Sequence, residues 1–291
     1  MASWQAWLAD PLVRWQVKRR LGDMADIRRV RTVFESTSLP PPPGVRFRTD
    51  RLGGVPGEWA ESATGARATL LYLHGGGFIA CSSRQYRPVT GTLARHGFRV
   101  FAPDYRLAPE YPFPAAVEDA VAAWCGLRAA VGGHAVVAGD SAGGTLALAM
   151  MLAVRDAGAC LPDAAAVFSP ATDLAGDSPS LRSNSRRDPM FRGEGLRHVA
   201  AAYLAGADPR HPLASPLYAD LGGLPPLLIH VGTREVLRDD SVRFAARARK
   251  AGVAVRLKLW PVVPHAWQFA NERLPEGRQS LAEAASFLHG R

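Results

Sequence analysis

A serine stands at the centre of the most distinctive motif in the sequence. Gly139-Asp-Ser-Ala-Gly-Gly144 follows a short apolar run at 135–138 and opens an apolar helical stretch, so Ser141 falls on a turn between a strand and a helix. The turn is so sharp that a side chain at position 139 or 143 should collide with neighbouring backbone. The peptide dipoles at the start of a helix also favour negative charge beside the serine. This arrangement is typical of a nucleophilic serine.

A glycine triplet could supply the complementary half of an acyl-transfer site. His74-Gly-Gly-Gly-Phe78 comes directly after the apolar run 69–73. Consecutive glycines leave backbone N–H groups free to converge on an oxyanion, and Ala142, directly after the serine, should supply another N–H. A phosphate-binding loop is disfavoured, because neither Gly-Lys-Ser/Thr nor Gly-x-Gly-x-x-Gly spacing accompanies the triplet.

A nucleophilic serine needs a base that is itself oriented by a carboxylate. His265, in Pro261-Val-Val-Pro-His265, lies in a loop just beyond the last apolar run, where a general base is expected. His230 lies inside an apolar run and is interpreted as a core residue. The other histidines after Ser141 fall in an irregular stretch or close to the last residue: His198, His211 and His289.

Three acidic residues follow the apolar run 227–231 and are candidates for the carboxylate. Glu235 lies in the loop itself. Asp239 and Asp240 fall where a helix should begin, and acidic residues are favoured there for the stability of the helix alone. Glu235 is therefore the preferred acid, and Asp239 is the alternative.

The elements that must position these residues alternate along the chain. Short apolar runs that are typical of strands occur at 69–73, 98–102, 135–138, 164–168, 227–231 and 255–259. Most of them are nearly continuous, as expected for strands covered on both faces. Helices are predicted between and after them at 115–130, 143–157, 239–251 and 278–289. This alternation predicts an α/β protein with a mostly parallel sheet and helices on both faces. The stretch 175–222 interrupts the pattern and is interpreted as an insertion, helical around 194–205.

The first 38 residues show the apolar spacing of an amphipathic helix and contain Trp4, Trp7 and Trp15. We favour the interpretation that this helix packs its tryptophans on the domain. The alternative is a helix that contacts a membrane surface or the substrate. Pro40-Pro-Pro-Pro43 should end any helix that reaches it.

Composition excludes several classes of protein. The net charge is +9, and only three of the 35 basic residues are lysines, so we predict an arginine-rich surface. Because no zinc-finger spacing or RNA-binding aromatic pattern accompanies the charge, we predict no nucleic-acid partner. Cys81, Cys125 and Cys160 show no CxxC spacing, so neither a disulfide framework nor a metal site is expected. No apolar run is long enough for a membrane span, and the first residues lack the order of a signal peptide. We therefore expect a cytoplasmic protein.

The chain resembles the bacterial hormone-sensitive-lipase-like esterases of the α/β-hydrolase fold in four motifs, which occur in the same order along the sequence. They are His74–Phe78, Asp104-Tyr-Arg-Leu-Ala-Pro-Glu110 with Phe113-Pro-Ala-Ala116, Gly139–Gly144, and His265. The resemblance covers roughly 65–291. It implies that Ser141 is the nucleophile and His265 the base, and that Gly76 and Gly77 join Ala142 in the oxyanion hole. The family more often has aspartate where this chain has Glu235.

The resemblance also implies an architecture and an activity. Residues 46–291 would form the catalytic domain, while 1–45 and about 175–220 would form a helical cap over the site. The activity would be that of a serine carboxylesterase for small-molecule esters with short acyl chains, without a cofactor, and the family resemblance suggests a homodimer. An amidase or aryl-formamidase on the same scaffold is the alternative. The Asp104–Glu110 segment is interpreted as structural, with Arg106 and Glu110 as a candidate ion pair.

Overall fold

An eight-stranded sheet forms the centre of the protein. The computed structural model describes residues 2–36 and 39–290. Outside the described residues lie Met1, Thr37, Ser38 and Arg291, of which Met1 begins the predicted cap segment and Arg291 ends the predicted catalytic domain. The strands are β1 Val45–Leu52, β2 Val55–Ser62, β3 Ala68–Leu73, β4 Phe98–Pro103, β5 Ala135–Asp140, β6 Ala165–Phe168, β7 Leu227–Gly232 and β8 Val255–Trp260. Their order is β1-β2-β4-β3-β5-β6-β7-β8. β2 runs antiparallel to both neighbours, and the other neighbouring pairs are parallel.

Helices connect the strands and cover the sheet. They are α1 Trp4–Val13, α2 Arg19–Leu21, α3 Ile27–Glu35, α4 Arg87–Arg95, α5 Ala115–Ala130, α6 Ala142–Asp156, α7 Ser180–Ser183, α8 Gly193–Leu204, α9 Arg238–Lys250 and α10 Pro275–Leu288. Helices α5, α6 and α9 pack on one face of the sheet, and α4 and α10 pack on the other. Within the described residues, no helix is both long and apolar enough to cross a membrane.

The structure confirms the predicted fold class and adds elements that the apolar runs did not indicate. The six predicted strands correspond to β3–β8, and the four predicted helices correspond to α5, α6, α9 and α10. β1 was not predicted, because it is a mostly exposed strand in which charged residues alternate with others. α4 was not predicted, because Pro88 and Gly91 are poor helix formers, although the helix is buried.

The segment 175–220 contains helices and, among its described residues, no strand. α8 occupies the region where the insertion was predicted to be helical. The ion pair predicted between Arg106 and Glu110 was wrong. Arg106 instead pairs with Glu118 and Asp119 of α5, and Glu110 pairs with Arg31 of α3.

The packing interpretation of the first tryptophans is also wrong. α1 continues through a π-helical turn at Arg14–Lys18 into α2, and we call residues 4–21 the N-terminal helix. Trp4, Trp7 and Trp15 are 68%, 54% and 66% exposed, whereas Val17 and Leu21 are buried on the opposite side. The apolar spacing correctly predicted a helix, but the smaller residues form its packed face.

The turn between β5 and α6 is the tightest backbone approach near Ser141. A Cβ atom at Gly143 would lie 2.0 Å from the Leu73 carbonyl oxygen and 2.4 Å from that of His74. At Gly139 it would lie 2.5 Å from the Gly143 oxygen. The predicted collision at both glycines is therefore present, and it involves backbone atoms that cannot move without displacing β3.

Replacing Gly143 with alanine should therefore destabilise the protein. We expect Gly143→Ala to lower the free energy of unfolding by about 3 kcal/mol, because overpacked backbone must shift. Gly132→Ala is the matched control, since a Cβ there meets nothing within 4 Å. Urea denaturation of both variants measures the difference, and equal midpoints would contradict the steric explanation.

Candidate active site

Ser141 occupies a strained position at the junction of β5 and α6. Its φ of +53° is a conformation that residues other than glycine rarely adopt. Its N–H donates to the Phe168 carbonyl at 2.7 Å, and its own carbonyl accepts from the N–H of Thr145 at 3.0 Å. Backbone strain of this kind costs on the order of 1–3 kcal/mol and persists where surrounding contacts enforce it. The turn presents the hydroxyl to a cavity above the sheet.

His265 and Glu235 form a buried, directly hydrogen-bonded pair. His265 Nδ1 lies 2.6 Å from Glu235 Oε2, and because a carboxylate can only accept, Nδ1 carries the proton. The other carboxylate oxygen accepts from the Ser169 hydroxyl at 2.7 Å and from the Gly232 N–H at 2.6 Å. The ends of β6 and β7 thus hold the carboxylate in one orientation.

The structure separates the three candidate acids. Asp239 lies in the first turn of α9, where it pairs with Arg238. Asp240 is buried and accepts from the N–H of Asp173. Of the three candidates, the described contacts bring Glu235 alone to His265. His230 is fully buried beside Ser280, as expected for a core histidine.

The environment of His265 sets its proton affinity. Burial by itself would lower the pKa of the imidazole, but the negative charge of Glu235 and the hydrogen bond to it raise the pKa above its ordinary value of 6.5. The Phe191 ring lies edge-on to the imidazole at 4.9 Å and contributes to that burial. The pair therefore favours the charged imidazolium more than an isolated histidine would.

Three residues that line the same cavity as Ser141 have unpaired backbone N–H groups among the described residues. Among the described residues, the N–H groups of Gly76, Gly77 and Ala142 have no hydrogen-bond acceptor, and all three residues line the same cavity as the serine. Gly76 and Gly77 have φ of +109° and +66°. A Cβ at Gly76 would lie 2.2 Å from the Ala80 carbonyl oxygen, so this loop conformation requires glycine.

A buried network that the sequence did not indicate joins the glycine loop to the serine turn. Tyr72 and Tyr86 donate their hydroxyls to the two oxygens of Asp140, at 2.9 and 2.8 Å. Tyr86 Oη in turn accepts the Gly75 N–H at 2.9 Å. Burial and the adjacent Asp140 charge raise the pKa of both tyrosines, so their hydroxyls remain protonated donors. Asp140 immediately precedes Ser141, and the network therefore sets the position of one half of the site relative to the other.

Two more residues that sequence reasoning missed support Glu235. One is Ser169, described above. The other is Asp188, whose buried carboxylate accepts the Val236 N–H at 2.8 Å and the Met190 and Phe191 N–H groups at 2.7 and 2.9 Å. Asp188 thereby fastens the insertion to the loop that carries Glu235. The Arg186-Arg-Asp-Pro-Met motif was visible in the sequence, but nothing in it indicates a partner 48 residues away.

The cavity that contains these groups has a volume of about 290 Å³. Its wall combines Ser141 and His265 with apolar side chains from the N-terminal segment and the insertion, among them Val13, Val17, Met24, Phe34, Phe191, Leu196 and Val199. In the described part of the chain, no hydrogen bond joins the Ser141 hydroxyl to His265; such bonds are often long before substrate binds. Cys81 also lines the cavity, but burial raises the pKa of its thiol and disfavours a reactive thiolate.

Comparison with known proteins identifies the family. Residues 70–269 match the family described as having the alpha/beta hydrolase fold. The chain belongs to this α/β-hydrolase family. It is 42% identical to an acetyl-hydrolase of Streptomyces hygroscopicus over 99% of this chain and 97% of that protein. It is 36% identical to an esterase of Acinetobacter venetianus over 86% and 84% of the two chains.

Comparison with solved structures shows to which group of α/β-hydrolases the protein belongs. An esterase from the bacterial hormone-sensitive lipase family superimposes with a TM-score of 0.90 at 40% identity, covering 99% of this chain and 98% of that one. The esterase EstE5 superimposes with a TM-score of 0.95 at 35% identity and covers 99% of both chains. The protein is therefore a hormone-sensitive-lipase-like esterase, a carboxylic ester hydrolase, which confirms the family and enzyme class expected from the motifs.

The tyrosine network predicts that loss of the Tyr86 hydroxyl alone lowers both stability and activity. Tyr86→Phe leaves the Gly75 N–H and one Asp140 oxygen short of a partner, so we expect stability to fall by about 2 kcal/mol. We expect kcat/KM for a soluble ester to fall roughly tenfold, because the glycine loop loses its anchor. Thermal unfolding and steady-state kinetics measure the two effects.

Tyr203→Phe is the matched control for that variant. It also removes a buried tyrosine hydroxyl, but one with no hydrogen-bond partner among the described residues. Its stability and turnover should match the wild type. Equal losses of stability and turnover in Tyr86→Phe and Tyr203→Phe would show that the hydrogen bonds of Tyr86 contribute to neither.

Proposed function

We propose that the protein is a serine carboxylesterase in which Ser141, His265 and Glu235 form the catalytic triad. The observation that carries the proposal is the buried 2.6 Å contact between His265 and Glu235 in the same cavity as the strained Ser141 turn. In this mechanism Ser141 Oγ attacks the ester carbonyl while His265 Nε2 takes the hydroxyl proton. Glu235 holds the Nδ1–H and stabilises the imidazolium that forms.

The proposed oxyanion hole consists of the N–H groups of Gly76, Gly77 and Ala142. They have no hydrogen-bond acceptor among the described residues and belong to residues that line the same cavity as Ser141, which supports a role in stabilising the negative oxygen of the tetrahedral intermediate. As the intermediate collapses, the imidazolium returns its proton to the leaving alcohol and an acyl-enzyme remains. Water then adds with His265 as base, the proton passes back to Ser141, and the acid is released.

We propose further that residues 1–45 and about 175–220 form a cap and limit the substrate to short acyl chains. Both segments contribute apolar side chains to the cavity. They are joined by Lys18 Nζ, which donates to the carbonyls of Ser185 and Asp188 at 2.7 and 2.6 Å. A cavity of about 290 Å³ leaves little room for a long chain. A relative named acetyl-hydrolase supports the same preference.

We propose a cytoplasmic location. In that reducing compartment the thiols of Cys81, Cys125 and Cys160, which are free in the structure, would stay reduced. The homodimer suggested by the family resemblance stays a prediction.

Ser141→Ala tests the proposed nucleophile. We expect kcat for p-nitrophenyl butyrate to fall at least about 10⁴-fold, because no acyl-enzyme can form. Ser62→Ala, on β2 and outside the cavity, should keep wild-type turnover. Near-wild-type turnover of the Ser141 variant would remove the serine from the mechanism.

An acyl-length series tests the proposed cap. With p-nitrophenyl esters from acetyl to dodecanoyl, we expect kcat/KM to be highest for the acetyl and butyryl esters and to fall steadily beyond them, because longer chains exceed the cavity. A maximum at the dodecanoyl ester would contradict the proposed preference while leaving the triad unaffected.

Glu235→Gln tests the proposed acid through the pH profile. His265 must be neutral to accept a proton, so kcat/KM of the wild type should fall as pH drops through a pKa above 6.5. Removing the negative charge lowers the pKa of His265, so this acid limb should move to lower pH, with a plateau reduced roughly 10³- to 10⁴-fold. An acid limb at the wild-type pH would contradict the assignment of Glu235.

A further inference from the structure

The outward side of the N-terminal helix exposes an apolar surface. Five of the seven large apolar side chains that are exposed among the described residues lie on this one helix. They are Trp4, Trp7, Leu8, Leu12 and Trp15, and we call them the tryptophan face. Four of them are spaced three or four residues apart and so follow one stripe along the helix. Contiguous exposed apolar patches usually mark interaction sites.

The opposite side of the same helix accounts for its packing. Ala6, Val17 and Leu21 are buried, and Val13 and Val17 line the cavity described above. The tryptophan face is therefore not needed to hold the helix on the protein. None of its five residues lines the cavity, so a direct contact with bound substrate does not explain their exposure either.

Cationic residues border the tryptophan face. Arg19 and Arg20, both exposed, end the helix. Arg29 Nε donates to the Arg20 carbonyl at 2.6 Å, which brings the exposed α3 arginines to the same end. Arg14 donates to the backbone carbonyls of Arg186 and Arg187, which places two more exposed arginines of the insertion beside the helix. The guanidinium of Arg234 lies over the Trp7 ring at 4.9 Å.

Acidic residues near this surface do little to neutralise it. Asp10, the acidic residue within the helix, is partly buried and pairs with Arg14 and Arg234. Asp23 and Asp26 follow the helix, where Asp26 accepts the Arg29 N–H as the N-cap of α3. The border of the tryptophan face is therefore predominantly positive.

We propose that the tryptophan face docks on an anionic lipid surface. A helix that presents tryptophan and leucine on one side, with arginines at its margins, suits the boundary between headgroups and acyl chains. The arginines would contact lipid phosphates, and each basic residue near an anionic surface strengthens binding. The docking does not depend on the proposed hydrolysis.

The positive border of the tryptophan face favours an anionic lipid surface over a second copy of the chain as its partner. A two-fold contact between tryptophan faces would bring the same arginines from both copies together without acidic partners, which is unfavourable. An anionic surface supplies the missing negative charge. Docking would also place the lipid on one side of a helix whose other side lines the substrate cavity.

Vesicle binding by the full chain tests the proposal. The probes are sedimenting vesicles of phosphatidylcholine alone and of equal parts phosphatidylcholine and phosphatidylglycerol. We expect the wild type to bind the anionic vesicles and to show a blue shift of tryptophan emission. Trp4→Ser/Leu8→Ser/Trp15→Ser should lower the partition coefficient at least about tenfold. Tyr111→Ser, which removes an exposed aromatic ring elsewhere, should have no effect.

A second variant tests the charges. Arg19→Gln/Arg20→Gln should weaken binding to the anionic vesicles roughly tenfold and leave binding to neutral vesicles unchanged. Turnover of p-nitrophenyl butyrate should stay at the wild-type value in both variants, which shows that they fold and separates a failure of docking from a failure of the proposed hydrolysis. If the triple variant does not fold, Trp4→Ser alone should still weaken binding.

Several results would overturn the proposal. They are no sedimentation of the wild type with either vesicle, equal binding to neutral and anionic vesicles, and unchanged binding of the triple variant. A dimer in light scattering that the triple variant loses, without any vesicle binding, would assign the tryptophan face to a second copy instead.

Discussion

Glu235 brings a carboxylate into a fully buried position, and much of the site is arranged around satisfying it. An unpaired buried charge would cost several kcal/mol, so each oxygen needs partners with little freedom to move. Ser169 and Gly232 supply them from the ends of β6 and β7, and His265 supplies the third from the loop after β8. The imidazole is thereby fixed in one tautomer and orientation by groups from three neighbouring elements.

The need to satisfy buried carboxylates also extends to the two segments that we propose as a cap. Asp188 is a second buried carboxylate, satisfied by three backbone N–H groups, one of which belongs to Val236 next to Glu235. Lys18 then holds the carbonyls of Ser185 and Asp188 from the N-terminal helix. Two segments far apart in the chain thus reach the acid loop through hydrogen bonds, while their apolar side chains close the cavity. Asp140, next to Ser141, is satisfied by Tyr72 and Tyr86, and Tyr86 also accepts the Gly75 N–H of the glycine loop.

Sequence alone predicts those features that depend on neighbours in the chain. β3–β7 were found because strands covered on both faces are nearly continuously apolar, and β8 because its apolar residues alternate with charged ones. Gly139 and Gly143 were found because a sharp turn excludes side chains. Glu235 could be preferred over Asp239 because a helix start accounts for the latter. Ser169, Tyr86 and Asp188 could not be found, since a polar residue does not show in sequence which distant group it will satisfy. The tryptophans of the N-terminal helix were misassigned because periodicity identifies a stripe but not which side of the helix is covered.

In the proposed mechanism, the buried Glu235–His265 pair activates Ser141 as a nucleophile. Treatment with a p-nitrophenyl phosphonate, followed by mass spectrometry of the digested protein, tests it most directly, because the phosphonate traps the attacking atom. We expect a single adduct, on the peptide that carries Ser141, formed much more slowly in Glu235→Gln. An adduct on another residue, or ester hydrolysis that continues with Ser141 unmodified, would contradict it.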